Sequence, residues 1–351
     1  MFSAISDPVL LTALWGGFTA TALTAVVALL IVLLRLSALR EEQQWQAVLA
    51  EWRPALLALA LEPTTTPLPP LPRRDRRRFL RLWVYLQESV RGEAAERLNA
   101  AARELGLQTY ARQLLQRGSR TDRLRAILAL GHLHDAQAWT PLCQTALLRD
   151  PLLSINAARA MVQIDAFRAA EWLVPLTIRR DDWDIARIAA FFSHARDAAG
   201  LVLSHELAQL PLERMPRALR LARALRTPLP PAVLRRVARG EKDAATLCEL
   251  LPLLQGPLWH REVLDALVHP DAQVRIAALQ VMTHVGTPDD VPFISGLLRD
   301  GEHAIRLAAA RTLVGLPFLS ADEIGSVAPP HAPGHAELCH ALAERDWQQG
   351  P

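Results

Sequence analysis

The chain has 351 residues, 51% hydrophobic and 21% charged, with a formal net charge of +3 at neutral pH. It is too apolar and too long for a disordered tail, and ample for a packed core. One lysine, Lys242, stands against 38 arginines, which reads as the codon bias of a GC-rich bacterial genome rather than as chemistry.

The first element is an apolar run, Val9 to Leu34, with no charged side chain. As a helix it is about 39 Å long, more than the roughly 30 Å of a bilayer's hydrocarbon core. A cleaved signal peptide fits poorly, because Asp7 and no Lys or Arg precede the run and Arg35 follows it without a small-x-small site. A buried core helix is the other reading, but the run exceeds the usual length. Residues 1–36 are therefore expected to form a single transmembrane anchor. Arg35 and Arg40 flank its C-terminal end, which places the N-terminus outside and the rest in the cytoplasm. Small residues recur four apart, Ala13, Gly17, Thr21 and Ala25 beside Gly16, Ala20, Thr24 and Ala28. That is a face on which a second membrane helix, from a partner or a second copy, packs closely.

Residues 37–74 form the predicted juxtamembrane helix and linker. Trp45, Leu49 and Trp52 share one helical face, which serves either a membrane interface or the first packing helix of the following domain. Pro54 is expected to interrupt that helix. Glu62 to Pro72 has five prolines in eleven residues and reads as an extended spacer. Next come Arg73, Arg74, Arg76, Arg77, Arg78, Arg81 and Arg91 against Asp75 and Glu88. The basic balance of the chain is expected to reside in this patch, leaving about −2 for the rest. Contact with anionic lipid and a solvated helix start both fit it. Nucleic acid does not, since no RNA-binding motif or aromatic platform accompanies it.

Residues 75–118 read as capping helices and 119–351 as a repeat array with a C-terminal capping helix. Arg125, Asn156 and Arg187 are spaced by 31 residues, and so are Arg275 and Arg306. Each is followed by Ala and aliphatic residues at helical spacing. Asp122, Asp150, Asp184, Asp271 and Asp300 stand shortly before each first helix as expected N-caps. A single hairpin of this kind cannot bury its apolar face alone, so stacked hairpins share a core. Trp139, Trp172 and Leu173 are assigned to that core, whereas Trp183 and Trp259, near turns, are expected to be half exposed.

The pattern resembles HEAT repeats, most closely the short type first named in bilin lyases. The best unit is DAQVRIAALQVMTHVGTPDDVPFISGLLRD, residues 271–300. The resemblance implies an all-α fold, an α-solenoid behind the anchor. It also implies that Arg125, Arg187, Arg275 and Arg306 tie adjacent repeats to loop aspartates, with Asn156 a weaker tie. The 88 residues from Arg187 to Arg275 are helical but degenerate.

No P-loop, GxGxxG, GxSxG or HExxH occurs. His331, His335, Cys339 and His340 lie close in sequence, and His335 and Cys339 share a helix face at a spacing compatible with metal. A capping helix with incidental polar residues is the plainer reading, and no metal or cofactor is expected. Three well-separated cysteines with no CxxC pair fit a reducing compartment. The expected role is non-catalytic: holding a membrane protein partner at a bacterial inner membrane. The layout is similar to that of bacterial proteins associated with membrane glycosyltransferases of exopolysaccharide export. An anionic-lipid sensor or signalling adaptor, and a metal- or chromophore-bearing enzyme, are the alternatives.

Overall fold

The computed structural model describes residues 8–61, 68–239 and 243–348, with backbone alone at 8–14, 212 and 348. Asp7, residues 62–67 of the proline-rich segment, Lys242 and the Ala13 side chain lie outside the described residues. The chain is 80% helical, with nineteen α-helices and no strand among the described residues. It packs as two units, residues 1–141 and 142–351.

The first unit begins with α1 (Pro8–Leu61), followed by α2 (Arg76–Ser89), α3 (Glu93–Glu104), α4 (Leu107–Arg117) and α5 (Arg120–His132). Every residue of α1 from Trp15 to Gln44 is exposed, and an 18-residue window of the helix has a mean hydropathy of 2.5. The second half behaves differently. Val48, Trp52, Leu56 and Ala60 are buried at spacings of four, making one stripe against α2 and α3. Trp52 meets Phe79 edge-on at 4.6 Å. The connector tryptophans thus belong to a packing face, with Trp52 buried and Trp45 half-buried under the Arg81 guanidinium at 4.4 Å. Pro54 does not interrupt the helix. It sits on the exposed side, as does Ala50, whose carbonyl it leaves without a helical donor, while Trp52 and Leu56 are buried on the other side. Arg97 of α3 closes the end of α1, donating to the Leu59 carbonyl at 3.0 Å and the Ala60 carbonyl at 2.6 Å. The polar pair Gln87 and Asn99 is buried but satisfied at 2.9 Å.

The helix α6 (Trp139–Ala146) contains the boundary between the units. The second unit holds α7 (Pro151–Ile164), α8 (Ala166–Arg179), α9 (Ile185–Phe191), α10 (Arg196–Leu207), α11 (Met215–Leu225), α12 (Pro231–Arg239) and α13 (Ala244–Leu250). It continues with α14 (His260–Leu267), α15 (Ala272–Val285), α16 (Val291–Gly296), α17 (His303–Gly315), α18 (Ala321–Val327) and α19 (His335–Gln348). Odd-numbered helices stack on the next odd one: α7 on α9, α9 on α11, and so on to α17 on α19. Even-numbered helices flank them, each packed on an odd neighbour, with α8 also against α10. The odd layer is rich in buried alanine (Ala157, Ala158, Ala189, Ala218, Ala278, Ala309), which lets helix axes approach closely.

Asp150, Asp184 and Asp271 cap α7, α9 and α15 as expected, accepting from backbone N–H groups of the first turn. Asp122 does not cap α5. Ser119 does, and Asp122 sits one turn in, taking the Ser119 hydroxyl at 2.7 Å. Asp300 accepts from the Glu302 N–H ahead of α17. Trp183 and Trp259 are 2% and 3% exposed, against expectation. The Trp183 indole N–H donates to the buried Ser154 hydroxyl at 3.0 Å, so a turn residue drops into the layer between α7 and α9. Gly200 is required by contact, since a Cβ there falls 2.1 Å from the Thr227 methyl.

Candidate functional site

The loop between α8 and α9, residues 180–184, has its centre pinned by Trp183 and its end by the Asp184 cap, leaving Asp181 and Asp182 at the surface. Arg180 folds back to the Ala146 and Leu148 carbonyls at 2.7 and 2.8 Å and pairs with Asp182. The Asp182 carboxyl is held below its ordinary value chiefly by that hydrogen bond. From the next odd helix, Arg217 donates to the Thr177 carbonyl at 2.8 Å and the Trp183 carbonyl at 2.7 Å, and also to the Arg180 carbonyl. One guanidinium thus satisfies three carbonyls of the preceding hairpin.

Arg217 is one of five arginines at intervals of three: Arg214, Arg217, Arg220, Arg223 and Arg226. Three residues fall about 60° short of a full turn, so the series winds around α11. Arg214 reaches back to Asp181 at 3.3 Å. Arg220 and Arg223 reach forward to Glu249 of α13, at 2.8 and 3.3 Å. Arg226 ends the helix in the left-handed region, φ 54°, and is exposed. Two grooves flank this ridge. A polar one of about 780 Å³ runs between the aspartate loop and Arg217, Arg220, Arg223 and Arg226. The other, about 670 Å³, lies between Arg223 and Arg226 on one side and Leu229, Leu234, Leu253 and Trp259 on the other.

This ridge falls in the stretch that sequence reasoning left as degenerate. The expectation of a single basic patch is corrected: residues 214–239 hold eight arginines and no acidic residue. Acidic residues elsewhere in the chain cancel them in the overall sum, but a local charge count over 214–239 and the interval of three both betray them.

The expected patch is partly spent within its own unit. Arg77 pairs with Asp122 at 2.7 Å; Arg78 meets Glu41 at 3.0 Å and also bonds Gln44. Burial pushes the Asp122 carboxyl up, but the Ser119 hydroxyl and Arg77 outweigh it and bring it below the ordinary range. Arg76 buries its Nε without a hydrogen-bond partner. Arg73 and Arg74 are exposed, as are Arg35 and Arg40 on α1. Gly16, Gly17, Ala20 and Thr21 are all exposed, and the Thr21 hydroxyl turns back to the Gly17 carbonyl at 2.8 Å.

Of the 31-residue ladder, Arg275 and Arg306 are equivalent. Each donates to the carbonyls six and five residues before it: His269 and Pro270 for Arg275, Asp300 and Gly301 for Arg306. Each also meets an acid of the next unit, Arg275 near Glu302 at 3.6 Å and Asp300 at 3.9 Å, and Arg306 on Glu337 at 2.7 Å. Arg125 differs, lying 3.8 Å from Asp122 of its own helix. Asn156 bonds the Leu152 carbonyl within α7. The Arg187 side chain is exposed, and Arg217 takes the carbonyls of that loop instead. His335 and Cys339 come within 3.5 Å, but the other ring nitrogen of His335 is held by the Ala328 carbonyl and His340 faces Glu344. Among the described residues no three ligand-type side chains converge.

The repetition of the Arg275 and Arg306 geometry matches the comparison with known families. A HEAT-repeat model matches residues 261–325, from α14 to α18. These residues are similar to HEAT repeats. The match covers the two hairpins in which the ladder arginines are equivalent, and the stacked helices around it are consistent with a HEAT-repeat protein. No curated protein matches the chain. HEAT repeats make helical scaffolds for protein interaction, a statement about fold more than about any one partner.

Proposed function

We propose that the chain is a non-catalytic scaffold, anchored by α1 in a bacterial inner membrane, that holds a membrane protein on the cytoplasmic side. The HEAT match over residues 261–325 carries the scaffold half of this reading. The anchor half is supported by the bare apolar stretch, since a soluble protein rarely leaves so long an apolar helix uncovered. The helix runs without a break into the packed stripe at Trp52, which favours a retained anchor over a cleaved signal sequence. Arg35, Arg40, Arg73 and Arg74, all exposed, suit anionic headgroups on the side that follows the span. A glycosyltransferase of exopolysaccharide export is the partner that the layout suggests.

The test is affinity purification of the full chain in mild detergent, with mass spectrometry, beside a chain lacking residues 1–36. The full chain is expected in the alkali-washed membrane fraction and the truncated one outside it. A stoichiometric membrane protein that accompanies both forms places the contact on the helical stack. The reading fails if nothing accompanies either form.

A further inference from the structure

The geometry points to the half-apolar groove beside Arg223 and Arg226 as a docking surface for an acidic, leucine-bearing peptide segment of a partner protein. The inference rests on the scaffold reading and adds the chemistry of what the scaffold holds.

Charge is the first observation. Of the eight arginines in residues 214–239, Arg214 is spent on Asp181 and Arg217 on backbone carbonyls. Arg220 and Arg223 share the single carboxylate of Glu249. Arg226, Arg235, Arg236 and Arg239 are exposed and have no partner among the described residues. The surplus positive charge therefore lies at the C-terminal end of α11 and along α12, the helix that supplies one wall of the groove.

Shape is the second. The two grooves share Arg223 and Arg226 but differ in what faces them. Asp181, Asp182 and Asp184 line the polar groove and repel an anionic ligand. No acidic side chain is among those lining the other groove, whose walls combine leucine, proline and the edge of Trp259 with Thr227 and Gln255. An acidic segment with an apolar side chain satisfies both halves of that second surface. A flat lipid surface meets the arginines but leaves the trough unfilled. A nucleic acid finds no stacking platform, because Trp259 is 3% exposed. Arg226 adds a third observation. A non-glycine residue in the left-handed region is uncommon, and here it sets the guanidinium on the rim common to both grooves.

The experiment uses the full chain in detergent micelles and fluorescein-labelled synthetic peptides, read by anisotropy at low and moderate salt. A peptide of repeated Glu-Glu-Leu is expected to bind, a Lys-Lys-Leu peptide not to, and an all-Glu peptide to bind more weakly. The double variant Arg223→Gln/Arg226→Asn is expected to weaken the Glu-Glu-Leu peptide at least about tenfold. Asparagine tolerates the left-handed backbone, so the fold is kept, and an unchanged circular dichroism spectrum checks it. The variant Arg73→Gln/Arg74→Gln is expected to bind as the parent does. The proposal is overturned if the first variant binds undiminished, if the all-Glu peptide binds equally well, if the second variant loses the peptide, or if phosphatidylglycerol vesicles displace it. If the Arg223→Gln/Arg226→Asn chain still brings its membrane partner through purification, the scaffold stands and the groove falls.

Discussion

Arg306 donates to Glu337 at 2.7 Å while His303 approaches the same oxygen at 3.0 Å, so one carboxylate joins α17 to α19. The Arg306 hydrogen bond is the main reason its pKa is lowered from 4.5 to about 2. A carboxyl lowered on folding contributes stability above its unfolded value and loses it as pH falls through the folded one. Glu337→Gln is therefore expected to cost about 1–2 kcal/mol at pH 7. Thermal melts at pH 7 and near pH 2 check this, since parent and variant should converge at the acid end. Gly200→Ala makes a different demand, pressing a methyl group into the Thr227 side chain. It should destabilise by about 1–3 kcal/mol in denaturant titration, and Thr227→Ala in the same chain should restore most of the loss. The sequence showed Arg275 and Arg306 through their shared spacing. It hid Arg217, which does similar work chiefly on carbonyls, with Asp181 no nearer than 4.0 Å, and which falls outside the 31-residue spacing. It also misassigned Asp122, because Ser119 supplies the cap three residues earlier.

The all-helical character was readable from apolar periodicity, but helix positions between Arg187 and Arg275 were not. Pro54 was not, because the rule for proline concerns local hydrogen bonding and says nothing of what faces water. Ala50, whose carbonyl Pro54 frees, is an exposed residue, and the buried stripe on the opposite side of α1 holds the helix together. Pro54→Ala should accordingly stabilise the first unit, by up to about 3 kcal/mol, read as a higher melting temperature. Arg97→Ala should act the other way. The Leu59 and Ala60 carbonyls lose their donor, and amide exchange in the last turn of α1 should accelerate while α4 and α5 stay protected. The groove at Arg223 and Arg226 was illegible for an element-level reason. An interval of three lies close enough to the helical period to pass for ordinary amphipathic patterning, and the groove forms only once α12, Leu253 and Trp259 are packed beside α11.

Across the second unit each odd helix touches mainly its neighbours in the stack, so damage should stay local. Leu313→Ala removes a fully buried side chain of α17 and should cost about 2–5 kcal/mol. Hydrogen exchange should show protection lost in α15, α17 and α19 and kept in α7 and α9; a uniform loss would contradict the nearest-neighbour picture. The unbroken α1 carries a consequence of another kind. Gly16 and Trp52 are 36 residues apart, which is about ten turns, so they sit at nearly the same azimuth on the rod. The small-residue face of the apolar half and the packed face of the other half are in phase. Inserting a single residue between Leu36 and Gln44 would leave hydropathy and packing intact yet rotate one face against the other by about 100°. Whatever docks against Gly16 is thereby clocked to the direction in which α2 and α3 lie.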